Sequence, residues 1–193
     1  MIIIFYEEVF CMRVISGCAR GLRLKSPLGL DTRPTIDRIK ESLFNIIAND
    51  LCDIDFLDLY SGSGSIGIEA LSRGAKKSVF VDFSEESVGV INENLRFTRL
   101  IEKAEVLKSE VSDAVFRFGR EKRKFDIIFM DPPYKKGLVE VTLKAVFDAD
   151  ILAENGFIIA EQAARENDIL ADGFNVFRIK NYNKIKMTFI ERL

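Results

Sequence analysis

From Asp55 to the C-terminus, short apolar runs alternate with amphipathic stretches of helical period, and few folds accommodate that order. "FLDLY" (56–60), "KSVFVDF" (77–83), "AEVLK" (104–108), "FDIIFM" (125–130) and "GFIIAE" (156–161) read as strands. Helices are expected over 65–73 and 85–99, near 111–120 and 138–147, and as a weak stretch running to Leu170. "FNVFRIKNYNKIKMTFIERL" closes the chain as a hairpin turning at Asn181, Tyr182 and Asn183, which brings the strands to seven. Such alternation requires an α/β fold with a mostly parallel sheet covered on both faces, doubly wound by right-handed crossovers. The final hairpin adds an antiparallel strand at or near an edge. Upstream, residues 13–33 predict a small β-hairpin broken by Gly17, Gly21, Pro27 and Gly29. A helix follows, capped by Thr35 after Pro34, with Ile36, Ile39, Leu43, Ile46 and Ile47 as its buried stripe. Residues 1–34 then form an N-terminal extension and residues 35–193 the main domain.

Ligands of such sheets bind beyond the carboxyl ends of the strands, where the strand order switches. The segment "DLYSGSGSIGIEAL" (58–71) stands there, with Gly62, Gly64 and Gly67 spaced as G-x-G-x-x-G. Glycine permits positive φ and close backbone approach, and the following helix presents free N–H groups. The next strand ends at Asp82, where an acid can accept hydrogen bonds from both hydroxyls of a ribose. An adenosine-containing cofactor follows from this pattern. A dinucleotide would set its pyrophosphate on the helix end, whereas S-adenosylmethionine has an ammonium and a carboxylate for polar groups of the loop. Asp58, just before the glycines, suits an ammonium and would crowd a phosphate. That disfavours a nicotinamide cofactor.

The fourth strand ends abruptly in "DPPY": a carboxylate, a rigid turn and an aromatic ring at Asp131, Pro132, Pro133 and Tyr134. This stretch resembles the signature of methyltransferases acting on exocyclic nucleobase amines. "LDLYSGSGSIGIEALSRGA" resembles their S-adenosylmethionine loop. "RVISGCARGLRLKSP" and "TRPTIDRIKESLFNII" resemble the bacterial RsmD family, 16S rRNA guanine-N2 methyltransferases, from about Met12 to the C-terminus. One departure is Ser61, in "YSGSG" where that family often has "FAGSG". The resemblance implies a Rossmann-like class I methyltransferase fold, S-adenosylmethionine as methyl donor, and 16S rRNA or an assembling 30S particle as partner. It also implies that the Asp131 side chain and the Pro132 carbonyl accept the two amine hydrogens, with Tyr134 stacked on the base. Asp58, Ser61, Gly62, Gly64, Asp82, Phe83, Ser109, Glu110 and Val111 are the expected cofactor contacts. Arg33, Thr35, Asp37 and Arg38 are expected to border the substrate, and Arg13, Arg20, Arg23 and Lys25 to grip RNA phosphates.

Charge agrees with an anionic partner met locally. Residues 13–40 carry net +5, while the rest of the chain carries net −7. The chain has no histidine and three cysteines without a CxxC pair, which argues against zinc and against an imidazole base. Cys11, Cys18 and Cys52 read as small apolar fillers of a reduced, cytoplasmic protein, expected to be a monomer without metal or membrane contact. "MIIIFYEEVFCM" makes a poor signal peptide, and Met12 is the expected natural start. Three other functions share parts of these features: an adenine-N6 DNA or RNA methyltransferase, a nicotinamide-dependent oxidoreductase and a non-enzymatic RNA-binding factor. The first lacks a visible target-recognition domain, and the second leaves the proline-tyrosine turn unexplained.

Overall fold

The structure, a computed structural model, describes residues 12–27, 34–134, 137–169 and 172–193, with side chains in the first helix from Asp37 onward. A short ribbon of β1 (Met12–Arg13) and β2 (Arg23–Leu24) precedes α1 (Pro34–Ile46). There follow β3 (Asp55–Leu59), α2 (Ser65–Ser72), β4 (Lys77–Asp82), α3 (Glu85–Thr98) and β5 (Ala104–Lys108). The second half comprises α4 (Val111–Arg120), β6 (Phe125–Met130), α5 (Leu138–Ala149), β7 (Leu152–Ala163), β8 (Phe174–Asn181) and β9 (Ile185–Arg192). The seven long strands form one sheet in the order β5-β4-β3-β6-β7-β9-β8. Neighbours pair in parallel except β9, which runs antiparallel to both β7 and β8. The order reverses at β3: β4 and β5 lie to one side of it, β6 and β7 to the other.

Side chains alternate across this sheet, so each buried strand feeds two cores. Phe56, Phe80, Ile127, Phe129, Ile159 and Phe189 join α1, α2, α3 and the N-terminal ribbon on one face. Leu57, Val79, Val81, Ile128, Met130 and Ile158 meet α4 and α5 on the other. Residues 12–27 belong to the first core through Val14, Ala19 and Leu24. Gly17 lets that segment run against the end of α2, since a Cβ there would lie 1.8 Å from the Ser72 carbonyl oxygen. The far end of the chain also reaches α1, where the Tyr182 hydroxyl donates to Ser42 Oγ at 2.9 Å.

Several expectations need correction. α1 starts at Pro34, so Thr35 is its second residue rather than its cap; proline suits the first helical position, where no N–H is needed. The expected stripe is buried at Leu43 and Ile47, but Phe44 and Lys40 are buried with it. No helix follows β7 among the described residues. That strand continues to Ala163, and the next turn is held by Lys186, whose Nζ donates to the carbonyls of Glu166 and Asn167 and to Asp168. Cys18 and Cys52 are exposed thiols rather than core fillers. Cys11 and Arg33 lie outside the described residues. Among the described residues no helix is long and apolar enough to cross a membrane.

The seat of α2 on the sheet rests on Gly67. A Cβ at that position would come within 2.3 Å of the Phe80 ring and 2.7 Å of Ser78 Oγ. Gly67→Ala is therefore expected to destabilise the protein by about 1–3 kcal/mol through overpacking. Chemical denaturation checks this, and an unchanged midpoint would show that α2 shifts freely.

Candidate functional site

Four acidic side chains lie at or near the carboxyl ends of four neighbouring strands: Asp82 on β4, Asp58 on β3, Asp131 just after β6 and Glu161 two residues before the end of β7. Register ties them together, because Asp58 pairs with Phe129 and Leu59 with Met130, and Met130 pairs with Ala160. The switch in strand order falls between Asp58 and Asp131.

The glycine turn hangs from two of these carboxylates. Asp58 is fully buried, and its Oδ2 accepts from Gly67 N in the first turn of α2 at 2.9 Å. Burial pushes its pKa up to about 8; the Gly67 bond opposes the rise and Asp82 adds to it. Asp82 Oδ2 accepts from Gly62 N at 2.8 Å and its Oδ1 from Ser84 N at 2.9 Å. Each Asp82 oxygen keeps capacity for one more donor. Tyr60, Gly62 and Gly64 all have positive φ, at 61°, 56° and 75°. For glycine this is free, but for Tyr60 it stores of order 1–3 kcal/mol of strain. By simple alternation Tyr60 would share the face of Asp58. Its left-handed backbone turns it to the opposite core, where its hydroxyl meets Thr142 Oγ1 of α5 at 2.8 Å.

The other expected cofactor contacts lie around this turn. The Ser61 hydroxyl is directed inward: it donates to the Asp58 carbonyl at 2.6 Å and accepts from Val81 N at 2.9 Å. Ser61 thus offers a ligand its backbone rather than its hydroxyl. Phe83 is 64% exposed directly after Asp82. Ser109 N donates to the Asp82 carbonyl at 3.0 Å, which brings Ser109 and Glu110 beside β4; Val111 is buried at the start of α4.

Across β3, the Asp131–Pro132–Pro133–Tyr134 turn borders a cleft of about 240 Å³, which is also lined by Gly137, Leu138, Glu161, Gln162 and Asn167. Asp131, which directly precedes the cleft-lining Pro132, is exposed on one side yet crowded by protein on the others. Crowding, then Glu161, then Asp58 raise its pKa, and the open side tempers the rise. The Tyr134 hydroxyl donates to Glu161 Oε1 at 2.7 Å. Burial raises the pKa of Glu161, against that bond.

The basic residues divide. Arg13, Arg20, Arg23 and Lys25 are all exposed on the N-terminal segment. Asp37 is engaged by Arg13 Nε at 3.0 Å. Arg38 instead lines a shallow depression with Ser42 and Lys180, on the side of α1 that meets β8. The segment is moored to the cofactor turn from beneath. Glu69 of α2, fully buried, accepts from Ile15 N at 2.7 Å, Ser16 N at 2.9 Å and Arg73 Nε at 2.8 Å. Lys40 lies 3.8 Å from it and donates to the Arg13 carbonyl at 2.7 Å. Asn94 of α3 completes the mooring, accepting from Lys25 N and donating to the carbonyls of Lys25 and Ser63.

Sequence reading missed Glu161, Asn94, Lys186 and the Lys40–Glu69 pair. Glu161 alone left a signal, as an acid ending a buried apolar strand at the level of Asp131.

Asp58 generates a pH prediction. Its folded pKa of about 8 exceeds the ordinary 3.8, so between these values the folded state binds a proton that the unfolded state has lost. That stabilisation, complete below the ordinary value, is expected to fade as pH rises towards 8 and to change no further above it. Denaturation from pH 5 to 9 should show a falling stability with a limiting slope of about 1.4 kcal/mol per pH unit from this group. Asp58→Asn should remove this group's share and make the slope shallower, leaving what Asp131 and Glu161 contribute; an identical slope in that variant would assign the effect elsewhere.

Comparison with known proteins adds identity to this geometry. The family described as conserved hypothetical protein 95 matches residues 12–191. A Bacillus subtilis relative, YlbH, provisionally named an rRNA methyltransferase, is 40% identical over 150 residues, covering 78% of this chain and 82% of its own. Ribosomal RNA small subunit methyltransferase D of Escherichia coli strain K12 is 34% identical over 150 residues, covering 78% and 74%. Among solved structures, Escherichia coli yhhF, provisionally described as a methyltransferase, superposes with a TM-score of 0.83 at 31% identity, covering 94% of this chain and 97% of its own. The chain thus belongs to the conserved hypothetical protein 95 family, the RsmD family of rRNA methyltransferases.

Proposed function

We propose that this protein transfers a methyl group from S-adenosylmethionine to the exocyclic N2 amine of a guanine in small-subunit rRNA. One observation carries the reading: the Asp131–Tyr134 turn stands one strand away from the glycine turn, with Leu59 paired to Met130 and Asp131 N directed at the Leu59 carbonyl at 3.5 Å. A donor on one turn and an acceptor on the other would meet beyond the adjoining ends of β3 and β6. The relatives named for small-subunit rRNA supply the substrate class.

The residues fit the cofactor. Asp58 is a buried carboxylate that, among the described residues, accepts one backbone N–H, from Gly67, and an ammonium would satisfy its remaining capacity. Asp82 would take the ribose hydroxyls on its remaining lone pairs, and Phe83 would lie along the adenine. When bound, S-adenosylmethionine supplies an electrophilic methyl on a sulfonium. An exocyclic amine is a weak nucleophile because its lone pair is delocalised into the ring. The Asp131 carboxylate and the Pro132 carbonyl would accept its two hydrogens, turning the lone pair towards the donor. Both acceptors also favour the positive charge that develops on nitrogen, so rate arises from placement and preorganised electrostatics. Pro132 and Pro133 keep the acceptors aimed, Tyr134 offers a stacking face, and the base must be unstacked to reach them. Arg13, Arg20, Arg23 and Lys25 would hold phosphates and set the register of the RNA.

Labelled-methyl transfer to unmodified 30S particles, followed by nucleoside mass analysis, should yield N2-methylguanosine; N6-methyladenosine would overturn the guanine assignment. Asp131→Ala should lower transfer by about 10²–10³-fold while leaving S-adenosylhomocysteine affinity nearly unchanged. Full turnover in that variant would remove Asp131 from the chemistry. Replacing Arg20, Arg23 and Lys25 together by alanine should reduce the slope of log affinity against log salt by roughly 2 to 3. An unaltered slope would place the RNA on another surface.

A further inference from the structure

We propose that Glu161 reads the Watson–Crick edge of the target base, accepting the N1–H of a guanine whose N2 amine faces Asp131; the inference rests on the guanine-N2 reading above. Parallel pairing of Phe129 with Ile159 and of Met130 with Ala160 sets Asp131, just past β6, level with Glu161 on the neighbouring β7. The two carboxyls are close enough for Glu161 to raise the pKa of Asp131. Glu161 lines the same cleft as Pro132, Pro133 and Tyr134. The Tyr134 hydroxyl occupies Oε1 at 2.7 Å and so fixes where the carboxylate lies. Among the described residues, Oε2 accepts no hydrogen bond.

The chemistry of the bases gives that second acceptor a purpose. On guanine, the N2 amine and the N1–H are adjacent donors on one edge. Once Asp131 and Pro132 hold the amine, N1–H points to the neighbouring position. A buried N–H left without an acceptor is costly, so a site lacking one would bind guanine poorly. Adenine presents the opposite pattern, since a lone pair on N1 flanks its amine. A carboxylate beside Asp131 attracts the first base and repels the second, so discrimination is built from attraction and repulsion together. Accepting N1–H also leaves more electron density on the ring as N2 becomes positive. Glu161 thus acts as a specificity-determining residue, with Tyr134 as its support.

The test uses the full protein and small-subunit RNA in which the methylated guanosine is replaced by the 2-aminopurine nucleoside. That base keeps the amine but has a lone pair in place of N1–H. The wild type should show kcat/KM roughly 10- to 100-fold lower on 2-aminopurine than on guanine. Glu161→Ala should lose a similar factor on guanine and show no preference between the two bases, with S-adenosylhomocysteine affinity and thermal stability unchanged. Glu161→Gln, whose amide oxygen still accepts, should restore part of the preference. Tyr134→Phe, which keeps the ring but removes the bond to Oε1, should retain the preference even where its rate falls. A wild type indifferent to the two bases would overturn the proposal. So would a Glu161→Ala variant that loses equally on both, because Glu161 would then serve only to hold Tyr134. Methylation of adenosine by the wild type would instead overturn the guanine reading itself, and nucleoside mass distinguishes that outcome from the others.

Discussion

The hydrogen bond from Gly67 N to the buried Asp58 carboxylate sets the geometry on which the site depends. It joins the first turn of α2 to the central strand, at the point where strand order reverses. A carboxyl group there benefits from the partial positive charge of the helix N-terminus, which lessens the cost of its burial. The contact is short because Gly67 lets the helix backbone descend onto Phe80. With α2 seated, the preceding residues must close a tight turn, and Tyr60, Gly62 and Gly64 adopt left-handed conformations to do so. The strain at Tyr60 is held by its hydroxyl contact with Thr142 on the far face. The glycine turn is therefore rigid from both sides of the sheet.

The row of acids along the strand ends has its own logic. Asp82, Asp58, Asp131 and Glu161 stand on consecutive strands; burial pushes Asp58, Asp131 and Glu161 towards their protonated forms, and neighbouring acids add to the push on Asp58 and Asp131. A surface prepared for RNA alone would carry the opposite charge. Here the positive charge sits on the N-terminal segment, while the floor of the site is negative. This division suits a reaction between a cationic donor and an amine within a polyanion: under the proposed function the arm would meet the phosphates, and the floor the sulfonium, the ammonium and the base donors.

Much of this was legible in the residues because the decisive signals are local. Gly62, Gly64 and Gly67 announce their turn through spacing alone, and Asp131-Pro132-Pro133-Tyr134 is a contiguous word at a strand end. Strand and helix alternation gave the sheet, with most boundaries within a residue or two. What escaped depends on contacts across long stretches of chain. Lys40 looked like one more cation of a basic arm, yet it lies in the apolar stripe of α1 because Glu69 and the Arg13 carbonyl await it. Asn94 is an unremarkable helix residue until Lys25 and Ser63 arrive on either side of it. Glu161 acquires meaning only from the β6–β7 register. The false helix before Leu170 had acceptable composition, but β9 extends the pairing of β7 to Ala163, and Lys186 claims the carbonyls that follow.

The contact between Tyr182 and Ser42 spans 140 positions of chain, and the mooring of residues 15–19 on α2 spans more than 50. Such separations imply slow, late-closing assembly. During synthesis the first core must wait for its lid: α1 emerges early, yet its Ser42 partner leaves the ribosome only with the final hairpin. Until then, apolar positions such as Leu43 and Phe44 lack the cover that Met187 and Phe189 bring to the same core, and the incomplete chain exposes surface that the finished fold hides.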